Sequence, residues 1–159
     1  FAKDAALDQE IRSRFLALHE RLITRDGPDV SAPRPILAAV VVLDQFSRNM
    51  FRGSPRAYAA DAIARRLAST AIEQGFDLTM TKEQRLFLYL PFEHSENTED
   101  QALALDLIGR LGNENWTRAT MAHKAIIDRF GRFPHRNVIL NRASTADEIA
   151  HLAQCVTSF

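Results

Sequence analysis

Apolar residues recur at three- and four-residue steps along this chain, and no other sequence feature constrains its fold as strongly. Near the amino end the stripe consists of Leu7, Ile11, Phe15, Leu18 and Leu22. Such spacing places side chains on one face of an α-helix, whereas a half-buried strand alternates with a period of two. Sustained period-two alternation is absent from the sequence. The pattern therefore predicts an all-α protein.

Capping and stop residues divide the chain into predicted helices. The first predicted helix runs from Asp4 to the Gly27-Pro28 break, the second covers the apolar segment after Pro33 as far as Gly53, and the third runs from Pro55 to Gln74 behind the cap Ser54. The fourth begins with the capping box Thr81–Gln84, and the fifth runs from the cap Thr98 to near Gly112. The sixth runs from the cap Asn115 through Trp116 to Phe130, and the last begins at Ser144. Short connections favour antiparallel neighbours, so we expect a stack of helical hairpins. The second helix is apolar on all faces and should be central.

Length and composition indicate one all-helical domain over residues 1–159. Apolar residues make up 46% of the chain and charged residues 25%, which is typical of a globular protein. The chain begins with Phe1 rather than methionine, and we expect that it lacks an upstream amino-terminal segment.

The charge balance and the apolar runs exclude several classes of partner. Lys plus Arg equals Asp plus Glu at 20 each, so the chain lacks the positive field that nucleic acid or an anionic membrane would attract. The longest apolar run, residues 36–43, is far shorter than the roughly 20 residues that cross a bilayer. The single cysteine, Cys155, cannot form an internal disulfide, which favours a cytoplasmic location. The sequence leaves the oligomeric state open.

The segment DQFSRNMFRG is a first candidate for chemistry. Asp44, Arg48 and Arg52 are four residues apart and would share one helix face, with Asn49 on an adjacent one. One interpretation is structural: an ion pair between Asp44 and Arg48, with arginine contacts to helix-end carbonyls. The other is an anion clamp that uses the planar fork of the guanidinium group.

The segment LYLPFEHSE is a second candidate. Pro91 should kink or end a helix there, because it lacks a backbone N–H group. Glu93, His94 and Glu96 follow immediately and could perform acid–base chemistry. The alternative is a hydrogen-bonded or solvated turn. We expect no metal and no other cofactor, because the chain has neither an HExxH motif nor a cysteine cluster.

His123 lies on the apolar stripe of the predicted sixth helix, which places its imidazole on the inward side. It could be a hydrogen-bonded core histidine or a base that reaches a binding groove. Asp128 lies four residues beyond Lys124, so it could join the same polar set or form a surface pair with that lysine.

The loop RFGRFPHRN concentrates hydrogen-bond donors in a rigid segment. Gly131 suits the left-handed turn that ends a helix, and Pro134 prevents the helix from resuming. The donor-bearing residues are Arg129, Arg132, His135, Arg136 and Asn137. Such a loop could receive an anion, or it could be a structural clasp on Asp44, Glu93 and Glu96.

These segments also resemble, in order, the signature blocks of a bacterial family known as domain of unknown function 924. The resemblance rests on DQFSRNMFRG, on LFLYLPFEHSE, and on HKAIIDRFGRFPHRN followed by STADEIAHLA, and it extends from about Asp4 to Phe159. It implies a helical fold like that of tetratricopeptide repeats (TPR-like) and assigns no activity, cofactor or catalytic residue. Family members usually carry an aromatic-rich segment before the first helix, in agreement with a missing upstream segment.

We consider three hypotheses of function. The first is a binding module that holds a small anionic ligand or an acidic peptide terminus in a groove lined by arginine and histidine. Its candidate ligand-binding residues are Asp44, Arg48, Asn49, Arg52, Glu93, His123, Arg132, His135, Arg136 and Asn137. Excess donor capacity in a charge-balanced chain favours this hypothesis.

The second hypothesis is a hydrolase or isomerase. Glu93 or His94 would be the base, His123 or His135 the acid, and the arginines would stabilise developing negative charge. The third hypothesis is a TPR-like protein–protein interaction module, in which the polar segments only tie helix ends together.

Overall fold

The computed structural model describes residues 4–24 and 31–154, and every regular element within those ranges is helical. The elements are α1 (Ala5–Leu22), α2 (Pro33–Val40), a π-helical turn (Val41–Phe46), α3 (Ser47–Met50), a 3₁₀ turn (Pro55–Ala57), α4 (Asp61–Glu73), a 3₁₀ turn (Phe76–Thr79), α5 (Lys82–Glu93), α6 (Thr98–Gly109), α7 (Glu114–Phe130), a 3₁₀ turn (Pro134–Arg136) and α8 (Ala146–Gln154). The predicted all-α class is therefore confirmed. The Gly27-Pro28 break lies outside the described residues.

The main hydrophobic core surrounds α2 and the π-helical turn, as the all-round apolar character of this segment predicted. Ile36, Val40 and Leu43 are completely buried there. They belong to one cluster with Leu88 and Phe92 of α5. Helices α1, α4 and α5 pack around this central segment, so it serves as the axis of the molecule.

Helices that follow one another in sequence also pack together in space. Helix α6 contacts both α5 and α7, as expected for hairpins with short connections. Helix α8 contacts the 3₁₀ turn Pro134–Arg136, and the ring of its His151 lies 5.0 Å from that of Phe130 at the end of α7. None of the helices described by the structure is both long and apolar enough to cross a membrane.

The predicted helix from Pro55 to Gln74 is wrong in its first part. The side chain of Ser54 caps only a short 3₁₀ turn by accepting a hydrogen bond from the amide of Arg56. Helix α4 begins later, at Asp61. A Ser-Pro signal specifies the start of a helical turn but does not specify its length, and the turn residues that follow redirect the chain.

Two other predicted caps are displaced by one or two residues. Asn97 caps α6 in place of Thr98, and Asn113 caps α7 in place of Asn115. Each asparagine has an extended backbone, and its side-chain oxygen accepts hydrogen bonds from two amides of the first turn. Asparagine is among the best N-cap residues, so it takes this position ahead of the residues inside the helix.

The predicted capping box at the start of α5 is confirmed, with reciprocal bonds between Thr81 and Gln84. A second box begins α8. The hydroxyl of Thr145 accepts a hydrogen bond from the amide of Glu148 at 3.2 Å, and the Glu148 carboxylate accepts one from the amide of Thr145 at 2.7 Å. Thr145 rather than the predicted Ser144 therefore starts this helix.

Candidate functional site

Polar side chains from five segments meet beside the central helix. The segments are the π-helical turn with α3, the first turn of α4, the carboxyl end of α5, the middle of α7, and the 3₁₀ turn Pro134–Arg136. We call the group that they form the polar cluster; it consists of Asp44, Arg48, Asp61, Glu93, His94, His123 and Arg136.

Asp44 occupies the buried end of the polar cluster. It lies in the π-helical turn, a distortion of the α-helix that is often found at functional sites. Its carboxylate is completely buried. It lies 2.9 Å from the imidazole of His94 and 3.1 Å from the guanidinium of Arg48. Burial alone would raise the pKa of Asp44, but the charges of His94 and Arg48 and the hydrogen bonds lower it to about 2. Asp44 is therefore an anion at neutral pH.

The contact with Asp44 also fixes the state of the His94 ring. Nδ1 lies 2.9 Å from both carboxylate oxygens. An ionised carboxylate can only accept hydrogen bonds, so Nδ1 carries the hydrogen atom and donates it. In the neutral ring, Nε2 then carries the lone pair. The His94 side chain retains 16% exposure, and it follows α5 at the position where that helix ends.

Glu93 and His123 form a second pair of carboxylate and imidazole. Nδ1 of His123 lies 3.3 Å from Oε1 of Glu93 and 3.0 Å from the carbonyl oxygen of Ala119. The other carboxylate oxygen of Glu93 accepts a hydrogen bond from the hydroxyl of Thr120 at 2.5 Å. The ring centroids of His94 and His123 are 6.3 Å apart. Two imidazoles, each oriented through Nδ1, therefore lie side by side.

Burial is the main reason why His123 is neutral. It lowers the pKa of this imidazole, and the charge of Arg136 lowers it further, as does that of His94 when it is protonated; Glu93 and the Ala119 carbonyl act in the opposite direction. As its apolar stripe predicted, His123 points inward from α7, with 18% of its side chain exposed. Lys124 instead forms a surface pair with Asp128 at 2.7 Å, so Asp128 does not join the site.

Two arginines share one carboxylate on the other side of the polar cluster. The guanidinium of Arg48 donates two hydrogen bonds of 3.2 Å to Asp61, and Nη1 of Arg136 lies 3.8 Å from the same carboxylate. Burial raises the pKa of Asp61, while Arg48 opposes that effect. Asp61 is the first residue of α4, so the late start of this helix delivers it to the two guanidinium groups.

Arg136 is the most unusual member of the polar cluster. The residue is only 7% exposed, and its guanidinium lies between the rings of Tyr58 and Phe133, 4.6 Å and 4.5 Å from their centroids. Nη2 donates to the carbonyl oxygen of His94 at 2.9 Å, but the buried Nε has no hydrogen-bond partner. Burial, followed by the charge of Arg48, lowers the pKa of Arg136.

His135 adjoins the polar cluster through contacts between aromatic rings. Its ring lies 5.6 Å from that of Phe133, which in turn lies 5.7 Å from the ring of His123. Burial, together with the positive charge of Arg136, lowers the pKa of His135 to about 4. His135 is therefore a neutral neighbour of the site at physiological pH.

Two predicted ligand-binding residues face a different part of the molecule. Asn49 and Arg52 both bind Asp8 of α1, at 2.8 Å from the amide of Asn49 and at 2.6 and 2.9 Å from the guanidinium of Arg52. Helix α3 ends at Met50, so the four-residue spacing that would align Arg52 with Arg48 does not apply beyond it. The prediction that Asn49 and Arg52 join Arg48 in an anion clamp is therefore corrected: both contact α1 instead.

Arg132 and Asn137 belong to a structural clasp rather than to the polar cluster. Arg132 donates to the buried carboxylate of Glu148 at 2.6 and 2.9 Å, and Asn137 donates to it at 3.3 Å. We call these three residues, with Thr145, the α8 clasp. Of the partners predicted for a clasp by this loop, Glu96 does bind it, accepting from the amide of Phe133 at 2.8 Å.

Sequence reasoning missed Asp61, Tyr58, Arg142 and Glu148. The Arg142 guanidinium binds Glu96 bidentately at 2.7 and 2.9 Å. Glu148 was detectable, because Thr-x-x-Glu before an apolar run is the pattern of a capping box. Asp61 and Tyr58 gave no comparable signal, since both were assigned to the interior of a longer helix that the structure divides.

The polar cluster combines hydrogen-bond donors with acceptors. Among residues 4–24 and 31–154, no group of three or more His, Cys, Asp or Glu side chains is arranged to hold a metal ion. A guanidinium group can receive an anion, and Nε2 of the neutral His94 ring can accept a proton. This combination fits a binding site and also the constellation of an acid–base catalyst.

Comparisons with known proteins identify relatives but no activity. Residues 1–155 match the model of a family described as bacterial protein of unknown function, DUF924. No curated protein matches the chain. A solved structure of a protein of unknown function from Agrobacterium tumefaciens, ATU0120, is 39% identical, with a TM-score of 0.90 over 97% of this chain and 88% of that chain.

Proposed function

We propose that this chain, which belongs to the bacterial family of unknown function DUF924, binds a small anionic ligand in the polar cluster. Arg136 would receive the anion, with Arg48 as the second positive group. Arg52 and Arg132 take no part, because each already has a bidentate contact with a carboxylate elsewhere.

The unpaired Nε of Arg136 carries the proposal. A buried donor without a partner costs free energy comparable to a lost hydrogen bond, and a charged group costs more. Native proteins keep such groups where a ligand completes them or where a function requires them. An anion that accepts a hydrogen bond from Nε would satisfy this donor, and the flat guanidinium between Tyr58 and Phe133 is already oriented for it.

The charges around Arg136 support the same conclusion. Its nearest carboxylate, Asp61, is 3.8 Å away and is also the bidentate partner of Arg48. Burial raises the pKa of Asp61 and lowers that of Arg136, so both groups are incompletely stabilised in their charged forms. A second anion beside Arg136 would stabilise its positive charge without breaking the pair between Arg48 and Asp61.

A titration with simple anions tests this proposal. Inorganic phosphate, sulfate and malonate would be titrated into the wild-type protein while heat release and melting temperature are recorded. Wild-type protein should bind at least one of them and melt at a higher temperature as its concentration rises. Arg136→Lys retains the charge but lacks Nε, and we expect its affinity to fall by about 10-fold, the cost of about one charge-assisted hydrogen bond.

Arg52→Lys is the matched control, because it makes the same change in an arginine outside the polar cluster. It should bind the anion as the wild type does. Absence of binding by all three anions, or equal affinity of the wild type and Arg136→Lys, would refute the proposal. A peptide with a free or an amidated carboxyl end tests the same site, and only the free carboxylate should bind if the natural ligand is a peptide terminus.

A further inference from the structure

The pair of Asp44 and His94 has features that anion binding does not require. A surface carboxylate would have been enough to balance Arg48. Instead, a completely buried carboxylate accepts from Nδ1 of His94 through both oxygens and sits in a π-helical turn. Such second groups fix the tautomer and orientation of a histidine ring. The arrangement therefore prepares Nε2 of His94 to accept a proton.

The backbone of His94 is in direct contact with Arg136. Arg136 donates a 2.9 Å hydrogen bond to the carbonyl oxygen of His94, so its guanidinium is anchored directly on the histidine's own backbone. Asp44, which orients the ring, is also 3.1 Å from Arg48. The base and the two positive groups thus belong to one connected set of contacts. A ligand held by Arg136 would lie within reach of the neighbouring imidazole.

The second pair favours the same type of chemistry. Glu93 precedes His94 in the chain and lies 3.3 Å from Nδ1 of His123, which is hydrogen-bonded to the carbonyl oxygen of Ala119. A carboxylate beside an imidazole supports proton transfer.

We infer that the polar cluster is an acid–base catalytic site, with His94 as the catalytic base, Asp44 as its positioning residue, and Arg136 as the group that holds the substrate. This inference rests on the proposed function. The substrate class is a small carboxylate or phosphate that carries an enol hydroxyl group, or a C–H bond beside a carbonyl group, next to its anionic group.

The proton balance of the step is simple. Nε2 of His94 accepts the proton of an enol O–H bond or of a C–H bond beside a carbonyl group, and the two electrons of that bond remain on the substrate, delocalised as an enolate. The developing negative charge is stabilised by Arg136 and Arg48, while Asp44 stabilises the imidazolium that forms. The imidazolium then returns the proton to the substrate at a different atom, which completes an isomerisation without any further reactant.

The protonation state of His94 can be measured without knowing the substrate. We would record ¹⁵N NMR spectra of the histidine rings of the wild-type protein at pH 7.5, and assign His94 with His94→Gln. We expect hydrogen on Nδ1 and a lone pair on Nε2, the reverse of the tautomer that free histidine prefers. Hydrogen on Nε2 of His94 would overturn the inference, and the tautomer is measured in the wild-type protein, with the variant used for assignment alone.

Reaction with diethyl pyrocarbonate, which acylates unprotonated imidazole nitrogen, tests the base itself. Modification of His94, followed by mass spectrometry, should be about 10-fold slower in Asp44→Asn, as for the loss of other groups that orient a histidine. Asp147→Asn, an exposed carboxylate of α8, is the matched control and should react like the wild type. Equal rates in the wild type and Asp44→Asn would overturn the inference.

Sulfate distinguishes failure of the proposed anion binding from failure of the catalytic role of His94. If sulfate binds and also slows modification of His94, both the anion site and the neighbouring base are supported. If sulfate binds but leaves the rate unchanged, the base does not face the anion and the inference fails while the proposed function stands. If no anion binds but His94 shows the expected tautomer and reactivity, the proposed function fails, and with it the role assigned to Arg136.

Discussion

At Asp44, a carboxylate with no exposed surface remains charged because His94 and Arg48 contact it directly. Its contribution to stability depends on pH. The folded pKa is lowered from 3.8 to about 2, so the folded state binds fewer protons than the unfolded state between these values. The stabilisation is complete above about pH 4 and is lost as the pH falls through about 2.

The Asp44 carboxylate should therefore contribute about 2 kcal/mol to the free energy of unfolding at neutral pH, on the basis of 1.36 kcal/mol per pKa unit. Asp44→Asn should be less stable than the wild type at pH 6, and the gap should narrow by about 1.5 kcal/mol at pH 2.5, where the folded carboxylate is still partly ionised. Urea unfolding at both pH values measures the gap. A gap that is independent of pH would show that the charge of Asp44 is not what stabilises the folded state.

Helix α7 ends at Gly131, whose left-handed backbone conformation we expect to be the cause. Its φ angle is +67°, and a Cβ atom built there would contact nothing within 4 Å. Any cost of Gly131→Ala must therefore come from the backbone, and we expect about 1 kcal/mol of destabilisation. Gly109 ends α6 with ordinary backbone angles and equally open surroundings, so Gly109→Ala should instead be neutral or stabilising.

Chemical denaturation of the two glycine variants measures this difference. If Gly131→Ala were as stable as Gly109→Ala, the left-handed conformation would not be what ends α7. The comparison also bears on the site, because Gly131 leads directly into the loop that carries Arg136.

Helix α8 is attached to the rest of the molecule through the α8 clasp. Glu148 is 2% exposed, and the Arg132 guanidinium with the amide of Thr145 holds its pKa at about 2. Removing this charge by Glu148→Gln should release α8 while the other helices stay folded. Hydrogen exchange of residues 146–154 should accelerate strongly, whereas exchange in α7 should change little.

The matched control for the α8 clasp is Asp147→Asn, one position earlier, where the side chain is 82% exposed and 4.0 Å from Arg129. It should leave exchange in α8 unchanged, because exposed ion pairs contribute little. Acceleration in both variants would mean that general charge on this helix, and not the buried clasp, keeps it in place.

For the molecule as a whole, the helical fold could be predicted from local sequence patterns. The apolar spacing and the capping box at Thr81 act over a few residues, so they are legible without knowledge of the tertiary structure. The break before Asp61 and the π-helical turn were not predictable, because both depend on contacts between distant segments. Local signals therefore identified the elements and missed two of the irregularities that build the site.

Four of the five segments of the polar cluster were also visible in the sequence, but the first turn of α4 and the choice of partners were not. Arg48 and Arg52 look equivalent in the sequence, as do Arg132 and Arg136. Tertiary packing directs Arg48 and Arg136 to Asp61, and it directs the other two arginines to separate carboxylates. An arginine's partner depends on where a helix ends and how a loop turns, which spacing alone does not specify.

Arg136 keeps the hydrogen-bond donor Nε–H available for an anion. NMR of the arginine side chains observes this donor directly. In ¹H–¹⁵N spectra of the wild-type protein, assigned with Arg136→Lys, the Nε–H signal of Arg136 should shift progressively and saturate as sulfate is added. The signals of Arg52 and Arg132, whose Nε atoms already donate to carboxylates, should stay in place. An Arg136 signal that does not move, or one that moves only as much as those of Arg52 and Arg132, would contradict the claim.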